Sequence, residues 1–171
     1  TLSNWACDVY AEIAHERSGK KIDFAVGNIG GMRADIPKGI VTRGALLQTF
    51  PFTNYMSIVE LKGSDVCALF EQIAANGGEG VSREVRLVIA DGKVVQSSIA
   101  GKPIDNNRIY TIATINFVAE GGDDMVAFRN ALSRVDYPGF VFELYEGYIL
   151  RQTARGEAIQ SSLDGRITIV Q

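Results

Sequence analysis

The dipeptide Asp91-Gly92 constrains the fold more than any other feature of this chain. It separates two β-rich runs, residues 85–89 and 94–99, and Asp-Gly tolerates left-handed backbone at both centres of a two-residue hairpin turn. Antiparallel strands therefore occupy the middle of the chain. Around them the hydrophobic period changes repeatedly. Residues 3–17 place Trp5, Val9 and Ile13 on one helical face, with Ser3 or Asn4 as the expected N-cap and Gly19 just past the end. Ile22, Phe24 and Val26 alternate as in a strand, Thr42 precedes a short helix carrying Ala45, Leu46 and Leu47, and a further strand covers 55–61. Ser64 is the expected cap of a helix whose Val66, Leu69, Phe70 and Ile73 share one face until Asn76-Gly77-Gly78 stops it. Residues 108–115 read as a strand and 166–170 as a closing strand. Residues 140–153, following Pro138-Gly139, read as a helix apolar over more than half its circumference, which predicts burial between layers. Helices scattered among hairpin-connected strands predict an α+β or layered α/β domain rather than a regular parallel βαβ wind. No linker, repeat or low-complexity tract divides the 171 residues, so one domain is expected.

The chain has one histidine, His15, and two cysteines, Cys7 and Cys67. Catalytic zinc and dinuclear metal sites draw on His or Cys at several positions, and Ser-His-Asp or Cys-His chemistry needs a histidine beside the nucleophile. On a helical wheel His15 falls nearly opposite the Ala6, Val9 and Ile13 stripe, which makes it solvated surface. Neither a catalytic residue nor a metal ligand set is expected in this chain. The cysteines belong to no CxxC pair and read as small packing residues. Seventeen Lys plus Arg against 20 Asp plus Glu, with no basic block, argue against nucleic-acid binding. No apolar run approaches the roughly 18 residues of a membrane span, and the first residues lack the basic and apolar regions of a leader. The start at Thr1 rather than Met suggests a mature, clipped or excised segment.

Two glycine-rich loops each follow a strand, and each admits two readings. Gly27-Asn28-Ile29-Gly30-Gly31-Met32-Arg33 can cradle a phosphate or carboxylate, with main-chain amides approaching the anion, Asn28 donating from its amide and Arg33 from a bidentate fork. It can equally be a tight turn whose Asn28 bonds its own backbone and whose Arg33 makes a surface ion pair. It matches neither the P-loop nor GxGxxG. Phe52 beside Pro51, and Phe117 before Gly121-Gly122, are rings on loops, suited to stacking on a planar ligand or to plugging the core beneath. Asp123-Asp124 can accept from sugar hydroxyls, hold a cation or form an Asx turn, although the calcium-loop pattern is missing. Together these are the parts of a nucleotide site: an anion cradle, two rings and a carboxylate for a ribose.

In this order the motifs resemble the C-terminal domain of the secreted 5'-nucleotidases, the family of the bacterial UDP-sugar hydrolase/5'-nucleotidase and the animal ecto-5'-nucleotidase. Ser3-Asn4-Trp5 with Asp8 resembles the family's L-G-N-L…D helix, Asn28-Ile29-Gly30-Gly31-Met32-Arg33 its N-x-G-G-x-R, and Pro51-Phe52-Thr53-Asn54 its P-F-x-N. Leu61-Lys62-Gly63 is similar to the L-x-G before a helix, and Tyr110 through Asp123 to Y-x-v-a-x-x-x-F-l-a-x-G-G-D. The resemblance covers nearly the whole chain. It implies a single α+β domain over 1–171, layered α/β/β/α, with mixed sheets and helices on the outside. It implies that Phe52 and Phe117 sandwich a base, that Asp123 bonds the ribose, and that Asn28 and Arg33 lie toward the phosphate. Asn54 becomes a further sugar or base contact, and Gly30, Gly31 and Gly122 complete the substrate-binding set. It further implies an AMP-like nucleotide or nucleoside as ligand, no cofactor in this domain, and a periplasmic, secreted or cell-surface location.

The same resemblance implies an N-terminal metallophosphoesterase domain, in the same precursor or as a separate chain, where two divalent ions (Zn, Mn or Co) activate water. Rotation of the present domain would carry the nucleotide to those metals. Two other functions fit the same motifs: a non-catalytic nucleotide-binding module, and a related hydrolase of 2',3'-cyclic nucleotides, UDP-sugars or a sulfur compound. Two departures stand out. Ser82-Arg83 occupies the place of the family's S-G, so no role passes to it, and the family's further phosphate-binding arginine lies upstream of the first helix, before Thr1.

Overall fold

The computed structural model describes residues 1–170. In chain order the elements are α1 (Leu2–Ser18), β1 (Phe24–Gly27), α2 (Arg43–Thr49), β2 (Tyr55–Lys62), α3 (Gly63–Ala75), β3 (Gly80–Val81), β4 (Val85–Ala90), β5 (Lys93–Ile99), β6 (Ile109–Ile115), α4 (Asn116–Ala119), β7 (Ser133–Phe140), α5 (Val141–Ala154) and β8 (Ile167–Val170). Five strands pair in the order β3-β1-β6-β2-β7 and three in the order β5-β4-β8. Both sheets are mixed: β1 runs parallel to β6, and β4 parallel to β8, while the other pairs are antiparallel. The mixed α+β architecture is the one the sequence predicts. At its centre Asp91 (φ 49°) and Gly92 (φ 71°) make the left-handed turn between β4 and β5.

Side-chain alternation along β1 assigns the two faces of the larger sheet. Phe24 turns toward α3, its ring 5.6 Å from that of Phe70. On the other face, a Cβ added to Gly27 would come within 3.2 Å of the Cys7 sulfur in α1. Successive strand residues point to opposite sides, so α1 and α3 cover opposite faces. Gly27 and its partner Gly80 are bare of side chains where α1 sits closest. α5 joins α1 through Tyr145, whose hydroxyl donates to the Ala6 carbonyl at 3.0 Å and whose ring stacks on Phe50 at 4.4 Å. The core between these layers includes Phe24, Met56, Leu61, Leu69, Phe70, Ile73 and Phe128, all fully buried. Truncating one of the phenylalanines to alanine costs about 3–5 kcal/mol in such surroundings.

Several local expectations change. The first helix begins at Leu2 with Thr1 as N-cap and no side-chain cap bond, while Asn4 donates to the Ser162 carbonyl instead. Thr42 does cap α2, accepting from the Ala45 amide at 3.2 Å. Ser64 does not cap α3: Lys62 holds that position, and the first amides, Gly63 and Ser64, donate to the carbonyls of Arg108 and Asn106. Gly63 is where a side chain would be driven into the Asp105 carbonyl, which is the physical reason for glycine in Leu61-Lys62-Gly63. Pro138-Gly139 lies inside β7, an edge strand, where a missing donor is tolerated. α5 is not buried between layers: only Val141, Leu144 and Tyr145 are buried, and Leu150 stands open to solvent. His15 is exposed, its Nδ1 2.7 Å from the Lys20 carbonyl oxygen.

Candidate functional site

Strand register gathers both glycine loops at one edge of the larger sheet. Met56 pairs with Ile115, so the start of β2 lies beside the end of β6. Ala25 pairs with Ala113 in parallel, which brings the end of β1 to the same edge, and Gly27 pairs with Gly80 at the start of β3. Segments 28–33, 50–54, 76–79 and 116–124 therefore leave or enter the sheet side by side. Asn116 fastens two of them, its Oδ1 accepting from the Tyr55 amide at 3.0 Å.

Between these segments lies a cleft of about 280 Å³, lined by Asn28, Gly30, Gly31, Arg33, Phe52, Asn54, Phe117 and Asp123. The volume is at the lower end of small-molecule pockets, roughly 300–1,000 Å³. Eight of the nine residues anticipated for substrate binding thus meet on one surface. The ninth, Gly122, lies behind the Phe117 ring, where any side chain would be driven into it. Phe52 and Phe117 are 44% and 41% exposed, so neither ring is a core plug. The Arg33 guanidinium carbon lies 5.4 Å from the centre of the Phe52 ring, a cation–π contact in place of the surface ion pair.

The polar residues of the cleft have few protein partners. Among the described residues, no hydrogen bond or ion pair within the protein engages the side chains of Asn28, Arg33, Asn54 or Asp123. Neither Asn28 nor Asp123 closes an Asx turn. The main-chain part of the anion cradle is another matter. The amides of Gly31, Met32 and Arg33 donate to the carbonyls of Asn28, Ile29 and Thr49, and the Ile29 amide donates to the Glu79 carboxylate at 2.7 Å. Those four amides are committed, which leaves the Gly30 amide, with no acceptor among the described residues, and the side chains of Asn28, Arg33 and Asn54 as the donors lining the cleft. Gly31 makes room for one of them: a Cβ there would stand 2.6 Å from Asn28 Oδ1.

The second loop is built differently. Gly121 has φ 89°, and Asp123 (φ 52°) and Asp124 (φ 59°) are left-handed without being glycine. Arg129 Nε donates to the Glu120 carbonyl at 3.0 Å, and Asn76 Nδ2 to the Asp123 carbonyl at 2.8 Å. Asn76 and Glu79 were visible in the sequence only as a helix stop and the residue after it. Burial and the neighbouring Asp123 charge push the Glu79 carboxyl above its ordinary range, although the Ile29 amide opposes the shift.

A larger cleft, of about 790 Å³, lies elsewhere, between α1, α5 and segment 156–164. Its principal charges are paired with one another: Arg166 bonds Asp8 at 2.9 Å and Asp164 at 2.7 Å, holding the Asp164 carboxyl down to about 2. Asp8, part of the first-helix motif, thus ties α1 to the segment before β8. Among the described residues no three His, Cys, Asp or Glu side chains converge as a metal ion would require. The residues present do not fit a metal pair. No described helix is long and apolar enough to cross a membrane.

Proteins of similar sequence and fold identify the family of the chain. Residues 1–130 match the model of the "5'-nucleotidase, C-terminal domain" family. The protein UshA of Yersinia enterocolitica is 41% identical over 113 residues, covering 63% of this chain and 20% of that protein. A 5'-nucleotidase of Vibrio cholerae is 32% identical over 125 residues, 71% of this chain and 22% of that protein. The crystal structure of a 5'-nucleotidase precursor from Thermus thermophilus superposes with a TM-score of 0.85 at 26% identity, over 99% of this chain and 35% of that one. The chain therefore spans about a fifth of these curated relatives and about a third of the solved structure. With motif order, sheet topology and the match over 1–130 in agreement, the chain belongs to the 5'-nucleotidase C-terminal domain family.

Proposed function

We propose that this domain is the substrate-binding and specificity unit of a 5'-nucleotidase-type phosphohydrolase. A nucleotide base stacks between Phe52 and Phe117, the Asp123 carboxylate accepts from the ribose hydroxyls, and Arg33 with Asn28 meets the phosphate. Asn54 supplies a further polar contact. Because Arg33 covers one face of Phe52, the base takes the other. A dinuclear-metal domain, in the same precursor or as a partner chain, would cleave the ester. The observation that supports this reading most directly is the cleft itself, where two exposed rings flank four polar side chains that make no hydrogen bond or ion pair among the described residues. Burial of such groups is favourable only when a ligand supplies the missing hydrogen bonds.

The reading predicts a ranking in calorimetric titration of the chain. AMP binds more tightly than adenosine, and ribose 5-phosphate more weakly than either. Equal affinity for AMP and ribose 5-phosphate would remove the base from the site and overturn the proposal.

A further inference from the structure

We infer that Asn76 and Glu79, at the two ends of the turn between α3 and β3, are positioning residues that set the two walls of the cleft separately, Glu79 the phosphate wall and Asn76 the ribose wall. The inference rests on the nucleotide reading above and deepens it. Neither residue lines the cleft, so each acts through a loop that does.

The turn joining them is fixed independently of either side chain. The amides of Asn76, Gly77 and Gly78 donate to the carbonyls of Gln72, Ala74 and Ile73, which closes the end of α3. Gly77 (φ 78°) and Gly78 (φ 104°) adopt backbone that side-chain-bearing residues rarely take, and Gly80 then pairs with Gly27. One short segment, anchored at both ends, thus aims an acceptor at one loop and a donor at the other.

The two bonds fall on different parts of the site. Glu79 Oε2 accepts from the Ile29 amide at 2.7 Å, at the head of the turn that carries Gly30, Gly31 and Arg33. Ile29 is exposed, so without Glu79 its amide would turn to water and the turn would lose its tie to β3. Asn76 Nδ2 donates to the Asp123 carbonyl at 2.8 Å. Asp123 and Asp124 hold left-handed backbone without being glycine, and such a conformation persists only where neighbours over-determine it. Asn76 is the side chain that does so for Asp123.

The test compares AMP with adenosine in four proteins: the unaltered chain, Glu79→Ala, Glu79→Gln and Asn76→Ala. A lost positioning bond is expected to weaken binding about three- to tenfold. Glu79→Ala lowers AMP affinity by that factor and leaves adenosine within about twofold, because only the phosphate wall moves. Glu79→Gln keeps an acceptor for Ile29 and restores AMP binding. Asn76→Ala lowers AMP and adenosine by the same factor. Hydrogen exchange at the Ile29 amide accelerates in Glu79→Ala and returns in Glu79→Gln, a readout independent of ligand. If the unaltered chain binds both ligands but Glu79→Ala weakens both alike, or Asn76→Ala weakens neither, the separate-wall inference fails while the nucleotide reading stands. If the unaltered chain binds neither ligand, the nucleotide reading fails and takes the inference with it.

Discussion

The two glycine loops line the same cleft by opposite means. In the first, none of the glycines at 27, 30 and 31 is left-handed, and the loop is held by its own amides, which donate to Asn28, Ile29, Thr49 and Glu79. In the second, the backbone is left-handed at Gly121, Asp123 and Asp124, and side chains from outside, Arg129 and Asn76, hold its carbonyls. What they share is that a glycine in each gives up its side-chain space to a neighbour that faces the cleft. Gly31 yields to Asn28 and Gly122 to the Phe117 ring. Glycine in such a loop is thus a statement about the adjacent functional side chain as much as about backbone freedom.

Gly122 is the position where the surrendered side-chain space matters most. Its φ is not positive, so alanine fits the backbone, but the new methyl is driven into the Phe117 ring. The ring is 41% exposed and free to swing out, so Gly122→Ala is expected to lower adenosine affinity about tenfold or more while thermal unfolding barely moves. A fall in melting temperature with binding retained would mean that the ring is structural. A smaller effect is expected in the first loop. Gly31→Ala displaces Asn28 and weakens AMP a few-fold without touching adenosine, whereas Gly30→Ala, with nothing within 4 Å of the added methyl, changes neither. Titration of both ligands into both variants distinguishes a glycine that makes room from one that does not.

The smallest effect lies at the seam where Glu79 approaches both loops. Its folded-state affinity for a proton is raised above the ordinary carboxyl value of 4.5, so the folded chain holds that proton more tightly than the unfolded one. The corresponding stability is present at acid pH and is lost as pH rises from 4.5 through the raised folded value. Glu79→Gln removes the titrating group. The melting temperature of the variant relative to the unaltered chain should therefore rise between mildly acid and neutral pH. A difference constant across that range would show that Glu79 is not penalised by burial and Asp123.

Much of this arrangement was legible in the sequence, and the missing parts have a common physical cause. Asp91-Gly92, the Thr42 cap and the Phe24 and Val26 alternation are local signals that tertiary packing leaves intact. The cleft residues were legible because they sit next to breakers, Pro51 and the two glycine pairs, where the chain must leave the sheet. β7 was missed because Ser133–Phe140 contains Pro138-Gly139, which ends a central strand but not an edge strand. β3 is two residues long and has no periodicity to detect. Most of the main-chain cradle is lost for a related reason: whether the amides of Ile29 and Arg33 are free depends on Glu79 and Thr49, which are distant in sequence. Glu79 meets Ile29 where β3 pairs with β1, and Asn76 meets Asp123 where the end of α3 reaches the loop after β6.

In the proposed site Phe52 and Phe117 hold a planar base between them. Calorimetric titration of adenosine into the unaltered chain and into the Phe52→Ala, Phe117→Ala double variant tests this stacking most directly. Stacking on an aromatic side chain contributes about 1–3 kcal/mol per ring, so the double variant should lose at least about tenfold in affinity while its melting temperature stays close to that of the unaltered chain. Equal adenosine affinities in the two proteins would contradict it.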